Sequence, residues 1–196
     1  MKLSTLTVLA LAGLSMPAMA QSIMNPSYEV GPATTNWSRV NLGETSIEGW
    51  VVSAGNIDYI GSMWAAADGS RSVELNGDVP GAISQSFSTI AGREYVVQFA
   101  LSGNWSGAAV KRLLLTAGDE SAEFSVAIAG FSAQNMNWSN QSFSFIADSS
   151  ATEITFASLN TNRWGAAVDD IRVTLVPAPA AGLALLGGLG LRRRRR

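Results

Sequence analysis

The sequence predicts an all-β chain folded as a jelly-roll β-sandwich, and three observations predict it. Apolar and polar residues alternate with a period of two. The alternating runs recur at roughly ten-residue spacing, with Gly, Asn, Asp and Ser between them, and no stretch carries a convincing helical period. In chain order the predicted strands are 47–52, 57–60, 71–75, 82–87, 94–101, 111–117, 122–128, 141–146, 153–158 and 167–175. Tyr95, Val97, Phe99 and Leu101 alternate with Val96, Gln98 and Ala100, and Phe124, Val126 and Ile128 alternate with Ser125 and Ala127. Phe143 and Phe145 are separated by Ser144, Ile154 and Phe156 by Thr155, and Ile171, Val173 and Leu175 by Arg172 and Thr174. Trp50 falls in the first strand and is expected in the core. Residues 118–121 and 147–152 are short polar turns, whereas 102–110, 129–140 and 159–166 are longer. Strands that run up and down in turn would place these three longer loops on one rim.

The two ends differ from this middle. Lys2, the apolar run Leu6–Leu14, Pro17 and the small-x-small pattern Ala18-Met19-Ala20 make a signal peptide of residues 1–20, cut after Ala20. At the other end Val176-Pro177-Ala178-Pro179-Ala180 precedes a stretch of Ala, Gly and Leu, and Arg192 opens a run of five arginines. An apolar segment followed by basic residues is a stop-transfer pattern. At ~1.5 Å per residue this one covers about 18 Å as a helix, against the ~30 Å of a hydrocarbon core. A processing signal with transient membrane insertion fits it better than a permanent anchor. Residues 176–196 resemble the PEP-CTERM class of exosortase sorting tails in its Val-Pro-x-Pro-Ala variant, carried by Val176, Pro177, Pro179 and Arg192. They depart from it at Ala178 and in the short apolar stretch. The resemblance implies an exosortase-type processing enzyme as a partner and the surface or matrix of a Gram-negative bacterium as the location.

Once the ends are set aside, the charge changes. The chain has 13 Lys and Arg against 15 Asp and Glu; without Lys2 and the five terminal arginines the count is 7 − 15 = −8 for the domain, residues 22–175. Such a surface repels nucleic acid and anionic lipid. The chain has no Cys, which excludes disulfides, thiol catalysis and cysteine-linked lipidation. It has no His either, which removes serine–histidine triads and imidazole bases. The tripeptide Asn-Trp-Ser occurs at Asn36, Asn104 and Asn137.

Asn25-Pro26-Ser27-Tyr28-Glu29, Gly49-Trp50, Asp58-Tyr59-Ile60-Gly61, the run Asp68 to Gly77 and Ala167-Val168-Asp169-Asp170-Ile171 resemble together the choice-of-anchor C domain. That domain is related to a plant cell-wall domain of unknown function, and both are similar to galactose-binding-like jelly rolls. The resemblance implies a non-catalytic domain that associates with cell-wall or extracellular polysaccharide. It also implies a structural Ca²⁺ held by Glu29 near one terminus and by Asp169 and Asp170 near the other, with carbonyl oxygens completing the shell. By strand parity Asp169 points inward with Ile171, Val173 and Leu175, and a buried carboxylate needs a partner.

Trp64, Trp105, Trp138 and Trp164 lie in predicted loops. Trp105, Trp138 and Trp164 would share the rim as an aromatic platform for a sugar face, with the amides of Asn104 and Asn137 bonding its hydroxyls. The alternative is that each ring plugs the end of the sandwich. Glu74, at strand parity with Ser72, is expected on the surface, and no carboxylate pair stands out as catalytic. The reading is thus a non-enzymatic carbohydrate-binding domain. A matrix or adhesion protein binding other proteins is the alternative, and a glycoside hydrolase a more distant one.

Overall fold

A computed structural model describes residues 20–21 and 23–177, and the strands belong to one compact unit, Ala18–Val176. Ala18, Pro179 and Arg192 lie outside the described residues. The strands are β1 (Ala20–Gln21), β2 (Trp37–Asn41), β3 (Val51–Ala54), β4 (Asn56–Ile60), β5 (Ser72–Glu74), β6 (Ala82–Ser88), β7 (Glu94–Gly103), β8 (Val110–Ala117), β9 (Glu120–Ala127), β10 (Ser139–Ile146), β11 (Ala151–Ser158) and β12 (Ala166–Leu175). One sheet runs β10-β7-β12-β5-β4-β2, with β1 added to the end of β12; the other runs β3-β6-β11-β8-β9. Every pairing is antiparallel. This is the jelly-roll sandwich that the alternation predicts.

The inner faces meet in a core of Tyr95, Val97, Phe99 and Leu101 from β7, Leu113 and Leu115 from β8, Ile154 and Phe156 from β11, and Ile171 and Val173 from β12. Aromatic rings form its centre: Phe99 meets Phe156 at 5.1 Å between centroids, and Trp50 meets Tyr28 at 5.1 Å. The predicted strand at 47–52 begins only at Val51. Gly49 has φ +79°, a left-handed conformation that ends extension, and Trp50 N donates to Ile47 O at 3.0 Å to close a turn. Trp50 is core as expected, 2% exposed, with its indole N–H donating to Asn25 O. Strand β2 was not predicted: it lies at a sheet edge, paired only with β4, so its outward residues carry no apolar alternation.

Part of the outer face of the first sheet is itself covered. Ile60, Trp64, Met136 and Ala167 form a second buried cluster, with Met63, Trp105 and Trp138 packed against it. The covering segments are the loop after β4 and the loops before β8 and β10. This roof, and the part of the sheet it leaves uncovered, position the site.

Candidate functional site

Beside the roof, the outer face opens as a cleft of about 220 Å³. Its floor is one row of the sheet: Arg39, Asp58 and Glu74 are cross-strand neighbours on β2, β4 and β5. Its walls include Trp37, Met63, Asn76, Asp78, Asn104, Arg163 and Trp164. Trp37 and Trp164 are 42% and 40% exposed, unusual for rings of that size. Each is backed by a guanidinium: Arg39 lies 5.4 Å from the centroid of Trp37, and Arg163 lies 6.0 Å from that of Trp164.

Trp164 is held by its backbone, not by burial of its ring. Its φ is +74°, a conformation a bulky residue avoids, and such strain of about 1–3 kcal/mol persists only where neighbours enforce it. The neighbours are buried polar groups. Lys111, fully buried, donates from Nζ to Trp164 O at 2.6 Å and to Ser106 O at 2.5 Å. Glu74 accepts from Gly165 N at 2.8 Å and from Asn104 Nδ2 at 3.0 Å. Asn76 Nδ2 donates to Asn160 O at 3.0 Å. The loops before β8 and β12 are tied together under the indole, and Asn104 N adds a bond to Gly165 O.

Arginine and aspartate alternate along the cleft. Arg39 Nε donates to Asp58 at 2.5 Å, another Arg39 nitrogen pairs with Asp78, and Arg163 Nη2 donates to the second oxygen of Asp78 at 2.9 Å. Burial raises the Asp58 carboxyl, and Arg39 opposes that rise. Burial also pushes Glu74 up to about 7, against the hydrogen bonds from Asn104 and Gly165.

A family model described as a protein of unknown function, DUF642, matches residues 21–174. The chain belongs to the DUF642 family. Halomucin of Haloquadratum walsbyi contains a stretch 31% identical to this DUF642 domain over 157 residues; the match covers 77% of this chain and 2% of halomucin. Among solved structures, a family 16 carbohydrate-binding module is 12% identical with a TM-score of 0.50, over 77% of this chain and 97% of that one. The CBM22-1 xylan-binding domain of Paenibacillus barcinonensis Xyn10C is 13% identical with a TM-score of 0.49, over 75% and 100%. The similarity to the family 16 module is one of fold.

The residues predicted from sequence divide over this DUF642 domain. The three longer loops do meet, through bonds of Asn104 to Gly165 and of Ile128 to Ala109 and a contact of Ser102 with Met136. Trp164 and Asn104 line the cleft, though Asn104 is 2% exposed and its amide is engaged by Glu74. Trp105 stands edge-on to Trp64 at 5.8 Å, and Trp138 donates its indole N–H to Ala65 O at 2.9 Å, so both belong to the roof. Asn137 is exposed at φ +44° and is not among the residues lining the cleft.

Glu74 needs a correction. It does share a face with Ser72, but it is 2% exposed, because β5 lies between β4 and β12 and the loops carrying Asn104 and Gly165 close on its carboxylate. Trp37, Arg39 and Asp78 were not singled out by sequence reasoning, and Asp58 was quoted only within the Asp58-Tyr59-Ile60-Gly61 motif, without a role in a site. The signal for Trp37 was the first Asn-Trp-Ser tripeptide, at 36–38.

The carboxylates proposed for calcium lie otherwise than parity predicts. A bulge between Asp169 and Arg172, with Asp170 at φ +50°, reverses the alternation of β12. Asp169 therefore pairs with Ala100 on the outer face, in the parity of Ala167, and not with Ile171 and Val173. It is fully buried and accepts from the backbone N–H of Ala67, Asp68 and Asp170 at 2.8, 3.0 and 2.7 Å. Glu29 accepts from Ser70 N and Arg71 N at 2.7 and 2.8 Å, and Asp170 accepts from Arg172 at 2.9 Å. Glu29 and Asp169 thus clamp one loop, 67–71, by its N–H groups. As placed, the three carboxylates do not come together as one calcium donor set among the described residues: Glu29 and Asp169 face N–H groups of the loop, and Asp170 faces Arg172. Melting curves recorded with and without EDTA are expected to coincide; a lower melting temperature in EDTA would establish a bound divalent ion.

Burial also pushes Asp169 up to about 7, the three backbone N–H bonds opposing it. Both Asp169 and Glu74 therefore hold a proton in the folded state at pH values where the unfolded chain has lost it. Their contribution to stability is complete below their ordinary carboxyl values and is lost as pH rises through about 7. The melting temperature should be higher near about pH 5 than near about pH 8. Glu74→Gln should flatten part of that slope; a curve that rises towards pH 8 would contradict this account.

Proposed function

We propose that this chain is an exported surface or matrix protein whose DUF642 domain binds extracellular polysaccharide without catalysis. The observation that carries it is the cleft: two half-exposed tryptophans, held over a row of polar side chains beside the roofed part of the sheet. An aromatic face binds the C–H face of a sugar, and the polar row meets its hydroxyls. A fold shared with a carbohydrate-binding module supports the reading. Native affinity electrophoresis in gels containing soluble polysaccharide tests it: the protein should be retarded, and Trp37→Ala should be retarded clearly less. Equal retardation with and without Trp37 would put the sugar site outside this cleft, and a wild type that migrates freely would move the adhesion reading, with protein partners, ahead.

Export and processing complete the proposal. The leader would be removed after Ala20, and an exosortase-type enzyme would act on the tail that begins at Val176, leaving the domain at the cell surface of a Gram-negative bacterium, as in a choice-of-anchor C protein. Mass spectrometry of protein recovered from the native surface should give Gln21 as the first residue and no terminal arginine run. Recovery of intact Met1 or Arg196 in that material would refute the corresponding half.

A further inference from the structure

We infer that the cleft takes a neutral, hydroxyl-rich glycan and rejects polyuronates and sulfated polysaccharides; this rests on the sugar-binding reading of the same cleft. The ground is the way its charges are spent on one another. An anionic sugar is normally recognised by a guanidinium that lends it two parallel N–H donors. The two arginines here already serve aspartates: Arg39 bridges Asp58 and Asp78, and Arg163 holds the other oxygen of Asp78. To bind a carboxylate or a sulfate, Arg39 would have to give up an aspartate, and an anion on the remaining N–H groups of Arg163 would stand beside the Asp78 carboxylate.

Counting the floor gives the same answer. Two guanidinium groups face the carboxylates of Asp58, Asp78 and Glu74, and Lys111 beneath Trp164 lies against Glu74, so with Glu74 ionised the cleft and the lysine under it carry no net charge. The domain around it carries −8, by the count of 7 basic against 15 acidic residues. A polyanion therefore approaches against the field of the whole surface. Hydroxyl groups face no such obstacle. They donate to carboxylate oxygens and accept from arginine N–H groups not used in the pairs, and they do so without displacing a charge partner. The tryptophan faces add a term that depends on sugar C–H groups and not on charge.

The test uses the full chain in native gels cast with glucomannan, galactan or arabinoxylan, and in matched gels with polygalacturonate or alginate, each at low and at raised salt. Retardation is expected in at least one neutral gel, unchanged by salt and clearly reduced in Trp37→Ala, with none in the polyanion gels. Exposed charge contacts are screened by salt, so retardation by a polyanion would be relieved when salt is raised. Retardation in polygalacturonate or alginate that needs Trp37 would overturn the neutral-glycan inference and leave the sugar-binding cleft standing. Free migration of the wild type in every gel would remove both.

Discussion

Trp37→Ala and Trp164→Ala are each expected to weaken glycan binding about fivefold while leaving the fold intact. Removing a stacked aromatic contact costs on the order of 1 kcal/mol, which is about fivefold in affinity. Trp37 sits on the edge strand β2 and is 42% exposed, so its loss should change stability by no more than about 0.5 kcal/mol. Trp164 offers a sharper separation. At φ +74° it occupies a conformation that glycine adopts freely, so Trp164→Gly should hold or raise the melting temperature while losing the ring. A variant that is at least as stable yet binds worse can have lost only the contact. Trp50→Ala is the control. That ring packs against Tyr28 and Phe156, and its removal should cost ~3–5 kcal/mol of stability. Loop variants that lose stability on that scale, without a selective loss of binding, would mean that Trp37 and Trp164 are packing residues.

Asp169→Ala should be among the most destabilising single substitutions outside the apolar core. Its carboxyl is fully buried and is the acceptor for three backbone N–H groups, on Ala67, Asp68 and Asp170. Each donor left without an acceptor costs about 1–3 kcal/mol. The expected loss is therefore on the order of 4 kcal/mol, a large part of the roughly 5–15 kcal/mol by which a domain is stable. Glu29→Ala removes the other clamp on the same loop, but Glu29 is itself exposed, unlike Asp169, and water can replace its carboxylate. Its cost should stay near about 1 kcal/mol. Urea unfolding of the two variants beside the wild type tests the order; equal losses would show that burial of the Asp169 clamp adds nothing to its worth.

How much of this was legible in the sequence varies with the element. Strands β7 to β12 each combine a long alternation with flanking turn residues, and their predicted spans lie within one or two residues of those observed. Trp37–Asn41 is different: an edge strand with a wet outer face satisfies no apolar period, so nothing marked it. Glu74 was placed on the correct face and misjudged for exposure, because alternation reports which side a residue takes and not what lies above that side. Asp169 was assigned to the wrong face, because one residue at φ +50° shifts every later side chain by one step. Trp105 and Trp138 share the tripeptide and the rim with residues of the cleft, yet the packing of Met136 and Trp64 draws them under the roof.

By itself the sequence determined the all-β class, the acidic surface and the absence of cysteine and histidine chemistry, since period and composition are properties of the chain. The tertiary structure alone decided which aromatic rings stay exposed and which charges meet. Arg39, Asp58, Asp78 and Arg163 are far apart in sequence and become one row only when β2, β4 and β5 pair and the β12 loop closes on them. Their mutual neutralisation depends on cross-strand register, and no local pattern of residues encodes that.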